Sequence, residues 1–296
     1  MKVATAAYPL DVLTDWAAYE DKLSRWVDDA ASHEADLLVF PEYAGMELAT
    51  LAGPDIAGDL EASIHAVADR LADADAFHAH LAGQFGVHIL AGSGPATDWL
   101  PDGVTRPVNR ARLFTPSGTM GVQDKQIMTR FEVEVWNIVP GGPLRVFDTA
   151  LGKIGILICY DAEFPLLGRA LAEADILLVP SVTEALTGYS RVRIGAQARA
   201  LENQCVTIMS SVVGQADWSP ALETCVGAGG VFGPPDRGFP DTGVLALGEL
   251  NAPGWTYADV DPEAVAAVRA DGTVLNRRDW SLQSARADPA IVRPLA

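Results

Sequence analysis

Three residues with usable chemistry stand far apart in this chain: a cysteine, a lysine and a glutamate. Cys159 lies in Gly155-Ile156-Leu157-Ile158-Cys159-Tyr160-Asp161-Ala162-Glu163-Phe164-Pro165. Ile154 to Ile158 reads as a buried strand, and Pro165-Leu166 as the opening of a helix. A sulfur at a strand exit beside a helix start meets backbone N–H groups and the positive end of a dipole, both of which favour thiolate over thiol. A free cysteine titrates at about 8.5, so near neutral pH it needs such help or an adjacent base to act as a nucleophile. Many free cysteines only fill space in a core. The polar shoulder Tyr160, Asp161 and Glu163 sets this one apart, because a strand that ended only to pack would not need it.

Glu42 also follows a predicted strand, Asp36 to Phe40, and a carboxylate just past Phe40-Pro41 sits on an apolar floor. Desolvation raises a carboxylate's pKa toward the range where it can both take and return a proton. The bland alternative is a solvated loop glutamate. Lys125 is one of four lysines against seventeen arginines, and it alone occupies the span between Lys22 and Lys153. In a chain that uses arginine for surface charge, a lysine at the end of a hairpin strand asks for a specific role, with a rim charge as the bland alternative. Histidine is a poor candidate for the base. All five histidines lie in the first third, at His33, His65, His78, His80 and His88, without metal-ligand spacing. No GxSxG elbow, P-loop or GxGxxG after a strand is present. The expectation is therefore a site without metal and without cofactor.

Composition narrows the class further. With 296 residues and 49% hydrophobic content the chain reads as one domain, 1–296. A formal charge of -18 without a basic stripe argues against nucleic acid as partner. The longest apolar runs fall far short of the roughly 18 residues that span a bilayer, so no membrane association is expected. Three cysteines without a CxxC pair suit a reducing compartment, and the N-terminus reads as unexported, hence a cytoplasmic location.

The elements that must position these residues read as alternating strands and helices. Strands are expected at Lys2 to Tyr8, Asp36 to Phe40 and Val87 to Ser93, with an amphipathic helix over Asp15 to Ala31 and an Ala-rich helical region from Asp59 to Gln84. A hairpin pairs Asn109–Phe114 with Val122–Ile127 around Pro116-Ser117-Gly118, and an aromatic, acidic loop follows over Thr129 to Pro143. The second half repeats the logic: strands at Arg145–Phe147, Ile154–Ile158, Ile176–Val179 and Val206–Ser211, with helices at Pro165–Ala174 and Tyr189–Asn203. Glu34-Ala35-Asp36-Leu37-Leu38-Val39-Phe40-Pro41 echoes Glu173-Ala174-Asp175-Ile176-Leu177-Leu178-Val179-Pro180, which suggests two similar layers facing one another. Residues 281–296 read as an extended C-terminal tail.

Taken together the residues resemble the nitrilase superfamily of carbon-nitrogen hydrolases over nearly the whole chain. Val39-Phe40-Pro41-Glu42 matches the general base, Asp124-Lys125 the lysine, Cys159 to Pro165 the nucleophile turn, and Arg199-Ala200-Leu201-Glu202-Asn203 the helix behind it. The resemblance implies an α/β fold of four layers, an αββα sandwich, in a homodimer or higher homo-oligomer. It also implies an accessory glutamate after the lysine, for which Glu132 fits and Glu134 is a nearby competitor. The Cys-Tyr-Asp-Ala-Glu-Phe-Pro turn is more similar to the amidase-type branches than to the nitrilase branch, where tryptophan commonly follows the cysteine. The expected reaction is hydrolysis of a small carboxamide through a thioester on Cys159. A nitrilase or N-carbamoyl hydrolase with the same triad is the alternative, and a non-catalytic small-molecule-binding module is the reading from another class. The substrate pocket is expected from Tyr43, the loop from Phe131 to Trp136, Tyr160, Thr183 and Glu184.

Overall fold

A computed structural model describes residues 1–287, 293 and 294. The chain runs β1 (Lys2–Pro9), α1 (Trp16–Ser32), β2 (Leu37–Val39), α2 (Leu60–Ala68), α3 (Leu71–Phe85), β3 (His88–Ala96), β4 (Val108–Phe114), β5 (Met120–Asp124), β6 (Val146–Thr149), β7 (Gly152–Ile156), α4 (Pro165–Ala170), β8 (Ile176–Ser181), α5 (Leu186–Asn203), β9 (Val206–Gln215), β10 (Thr224–Cys225), β11 (Gly230–Phe232), β12 (Val244–Leu247), β13 (Gly254–Asp259) and α6 (Pro262–Asp271). The strands form two halves, ordered β5-β4-β3-β2-β1-β13 and β6-β7-β8-β9-β11-β12, joined where Ala7–Pro9 of β1 pairs with Ser211–Val213 of β9. In each half three strands run parallel and a fourth antiparallel: β1, β2 and β3 with β4, and β9, β8 and β7 with β6. The echoed segments carry β2 and β8, which occupy equivalent places in the two halves.

Alternation along the strands makes the layers. Ala4, Ala6, Tyr8, Leu38 and Ile89 pack with Tyr19, Leu23 and Val27 of α1 and with Ile64 and Leu81 of α2 and α3. Val3, Leu37, Val39 and Leu90 point the other way, into one cluster with Ile154, Ile156 and Leu178 of the second half and with Val192 and Ala196 of α5. Helices therefore cover the outer face of each half while the inner faces meet, which is the expected αββα sandwich. Burial on both faces is why these strands read as unbroken apolar runs. α1 starts where Asp15 caps it, its side chain accepting from Ala18 N at 2.9 Å. Among the described residues no helix is long and apolar enough to cross a membrane.

Several boundaries differ from expectation. β7 ends at Ile156, two residues short of the nucleophile strand expected over Ile154–Ile158. Leu157 and Ile158 are fully buried, and Leu157 N still donates to Leu178 O of β8 at 2.9 Å, but neither residue is paired in the strand's register. Apolar character alone cannot distinguish a buried residue in a ladder from one just past it. β5 spans Met120–Asp124 where Val122–Ile127 was expected, which leaves Lys125 just beyond the strand. The helix expected over Pro165–Ala174 stops at Ala170. Residues 281–286, expected to be extended, wind with Trp280 into 3-10 turns instead. The remainder of the expected tail lies outside the described residues, apart from Ala287, Arg293 and Pro294.

Candidate active site

β2 and β8 run parallel within their halves, and their carboxyl ends open on one hollow, the usual place for a site in such sheets. Past β2 the chain turns at Tyr43, whose φ of 57° is left-handed, and Tyr43 N donates to Ser93 Oγ at 3.2 Å. Gly92 makes this turn possible. A Cβ there would stand 2.3 Å from Pro41 O, so only glycine lets β3 pass so close to the chain that presents Glu42.

Lys125 follows β5 and is gripped from both sides. Its own N–H donates to Asn109 O at 2.8 Å. On one flank the Asp124 carboxylate accepts from Arg110 Nε at 2.6 Å and from Gly142 N at 2.8 Å. On the other, Gln126 N and Ile127 N donate to the Asp161 carboxylate, Ile127 at 2.8 Å, which ties the lysine segment to the turn that carries the cysteine. That turn is a 3-10 run, Cys159–Glu163, which opens with Cys159 itself at a left-handed φ of 49°. Gly195 of α5 and Arg199, whose Nη1 donates to Ala162 O at 3.1 Å, brace it from behind.

The side chains converge. Lys125 Nζ donates to Glu42 Oε1 and to Glu132 Oε2, each at 2.7 Å. Asn109 Nδ2 also donates to Glu42 Oε1, at 2.9 Å, and reaches Glu132 Oε1 at 3.4 Å. Val182 N donates to Glu42 Oε2 at 3.1 Å, and Val182 O accepts from Cys159 Sγ at 3.5 Å, which holds the thiol beside the carboxylate. Glu132 accepts further hydrogen bonds from Tyr43 OH and from Thr129 N and Oγ1, each at 2.8 Å. Glu134, the competitor for its role, lies instead at the surface paired with Arg130 at 2.8 Å.

Burial sets the protonation states. Desolvation raises the Glu42 pKa, opposed by the Lys125 charge and assisted by that of Glu132. Burial likewise pushes Glu132 up, but Lys125 and its many donors prevail and hold it below the ordinary value. Desolvation alone would lower Lys125; the two carboxylates outweigh it and keep the lysine charged. Cys159 departs from the sequence reading. Burial, and then the negative charge of Glu42, push its pKa well above the usual value, with Lys125 only partly opposing them. The resting nucleophile is therefore a neutral thiol beside a base; of the two aids the sequence left open, it is the adjacent base and not the helix start that serves this cysteine. The physical reason is position: α4 begins only at Pro165 and has six residues, while Cys159 is almost wholly buried at the floor of the site, against the Glu42 carboxylate.

Every residue singled out for the site lines one cavity of about 190 Å³: Glu42, Tyr43, Lys125, Phe131, Glu132, Trp136, Cys159, Tyr160, Thr183 and Glu184. The Tyr43 and Trp136 rings pack at a tilt of 40° with centroids 4.8 Å apart, and Leu222 and Cys225 complete the apolar wall. Arg191 and Glu163 pair at 3.3 Å beside the opening. Sequence reasoning missed Asn109, which looks like any strand residue until its cross-strand neighbours are known. Cys225, which the sequence does not single out, also faces the cavity.

A sequence model described as carbon-nitrogen hydrolase matches residues 2–270 of the chain. The chain is similar to a Bacillus subtilis protein named probable hydrolase YhcX, 31% identical over 284 residues that cover 94% of this chain and 53% of that protein. It is also similar to the deaminated glutathione amidase of Yersinia enterocolitica, 34% identical over 148 residues that cover 46% of this chain and 50% of that protein. The chain thus spans about half the length of these two relatives. Among solved structures, the carbon-nitrogen hydrolase from Helicobacter pylori G27 superposes with a TM-score of 0.74 at 19% identity, over 97% of this chain and 95% of that one, which shows a common fold.

Proposed function

The chain belongs to the carbon-nitrogen hydrolase family, and from that premise we propose that it hydrolyses the C–N bond of a small carboxamide through a thioester on Cys159. The observation that carries this reading is the Glu42–Lys125–Glu132 chain closing on the Cys159 thiol at one cavity. Among the described residues no histidine lines that cavity, and the carboxylate beside the thiol is the available base.

As the Cys159 sulfur attacks the amide carbon, its proton passes to Glu42 and the C=O electron pair moves onto oxygen. Lys125 has three N–H donors, two of them engaged by Glu42 and Glu132, so the third is left for that oxygen. The backbone N–H of Tyr160, next along the turn, is its proposed companion. Collapse of the tetrahedral intermediate breaks the C–N bond, and Glu42 gives its proton to the leaving ammonia or amine. Glu42 then takes a proton from water as the water attacks the thioester. Release of the acid returns that proton to sulfur. Glu132, held anionic by its donors, keeps Lys125 charged and in place throughout.

The test is a panel of short amides, nitriles and N-carbamoyl compounds followed by ammonia release, with intact mass to catch the acyl adduct. Amides are expected to turn over, with an acyl mass on the wild-type chain. Cys159→Ala is expected to fold normally and release no ammonia; a few per cent of residual turnover in that variant would remove the assignment. Faster release from nitriles or carbamoyl compounds would move the reading to those branches, and tight binding without release would favour the binding module.

A further inference from the structure

Glu42 has two oxygens, and the structure distinguishes them. Oε1 accepts from Lys125 Nζ at 2.7 Å and from Asn109 Nδ2 at 2.9 Å, which uses both of its lone pairs. Among the described residues Oε2 accepts from a single N–H, that of Val182 at 3.1 Å, and Val182 O is the group that holds Cys159 Sγ. We propose that Asn109 is a positioning residue of the hydrolytic site, which occupies Glu42 Oε1 and so makes Oε2 the atom that takes and returns the thiol proton. The inference deepens the hydrolase reading above and rests on it.

Three observations converge on this one residue. Its side-chain N–H₂ spans the two carboxylates, reaching Glu132 Oε1 at 3.4 Å as well as Glu42. Its main-chain carbonyl accepts from Lys125 N at 2.8 Å, so the strand that orients the carboxylates also fixes the start of the lysine. Among the described residues its Oδ1 has no partner, and it is buried on a residue with no solvent exposure. A buried acceptor left unpaired is costly, and a residue chosen only to fill β4 would carry no such acceptor. The amide is turned so that its donors face the carboxylates, and the unpaired oxygen is the consequence.

The functional effect follows from the sign of the interaction. A donor to the charged form of a carboxylate favours that form. Glu42 is faced by Lys125, Glu132, Cys159, Tyr43 and Asp161; the lysine charge and the neighbouring Cys159 thiol favour its anion, and the Glu132 charge disfavours it. Loss of the Asn109 donor shifts this balance toward the protonated acid, and a protonated Glu42 cannot accept from the thiol.

Asn109→Ser and the near-isosteric Asn109→Asp test this. In both, kcat/KM is expected to fall about tenfold at neutral pH, with KM little changed, and the acid limb of the pH profile is expected to move up by about one unit. The position of a limb does not depend on how much protein folded, so a poorly folding variant still reports. The rate of Cys159 alkylation by iodoacetamide against pH gives the same limb without any turnover. Wild-type activity that survives Cys159→Ala would sink the hydrolase reading, while the alkylation limb would still decide the role of Asn109. An unmoved limb in both variants, whatever their melting temperatures, would overturn the inference and leave Asn109 a structural residue.

Discussion

Lys125 shows how much of the site is held by a single charge. Its ammonium lies between two carboxylates, at 2.7 Å from each, with all three side chains nearly sealed from water. Removing one partner of a buried ionic group typically costs about 3–5 kcal/mol, because the charge left behind is uncompensated. Lys125→Met keeps the length and removes the charge, so two effects are expected. Turnover falls by about a hundredfold or more, the usual loss for an oxyanion donor. Stability becomes pH-dependent: without the lysine, Glu42 and Glu132 face each other desolvated, and their folded pKa values rise above those of the unfolded chain. Groups raised in this way lend stability at low pH and lose it as pH climbs through the folded value, so the variant is weakened least near pH 4 and most above neutrality. Urea melts of both proteins across that range check it; an equal loss at every pH would mean that the lysine contributes packing and not charge.

The elements hold the nucleophile by contact with backbone. Gly195 in α5 lies against the Cys159 turn, where an added Cβ would stand 2.7 Å from Ala162 O. Alanine is otherwise preferred to glycine inside a helix by about 1 kcal/mol. Gly195→Ala therefore sets propensity against fit, and the turn, not the long helix, is the part that yields. The expected result is a melting temperature close to wild type and a kcat lowered about tenfold or more, since a displacement of about 1 Å at reacting atoms is that expensive. An unchanged kcat would show that the turn is not braced there. The same geometry explains what could be read in advance. Leu37–Val39 and Ile176–Ser181 were legible because strands buried on both faces are apolar throughout, and Glu42 and Cys159 because each is a polar break after such a run. Lys125 was legible through scarcity. The protonation of Cys159 was not, since it depends on walls from Val182 and Glu42 that are remote in the chain. Asn109 was hidden for the same reason: its partners are 67 and 23 residues away.

At the scale of the whole molecule, a formal charge of -18 surrounds a cavity whose opening carries Glu163, Glu184 and Arg191. Arg191 is paired with Glu163, whereas Glu184 has no ion-pair partner among the described residues and lies exposed, so the local charge has the same sign as the global one. A negative field of this kind concentrates cationic ligands and repels anionic ones, and salt screens it over a Debye length of about 10 Å at 0.1 M. Three amides of equal length, ending in an ammonium, a methyl or a carboxylate group, should then respond differently to salt. From low ionic strength to about 0.5 M, KM is expected to rise for the cation, stay level for the neutral amide and fall for the anion. Glu184→Gln removes the near part of the field and leaves the distant part, so it should shrink the spread among the three without abolishing it. One common salt response for all three substrates would show that the opening does not sort them by charge, and that the acidic surface serves solubility alone.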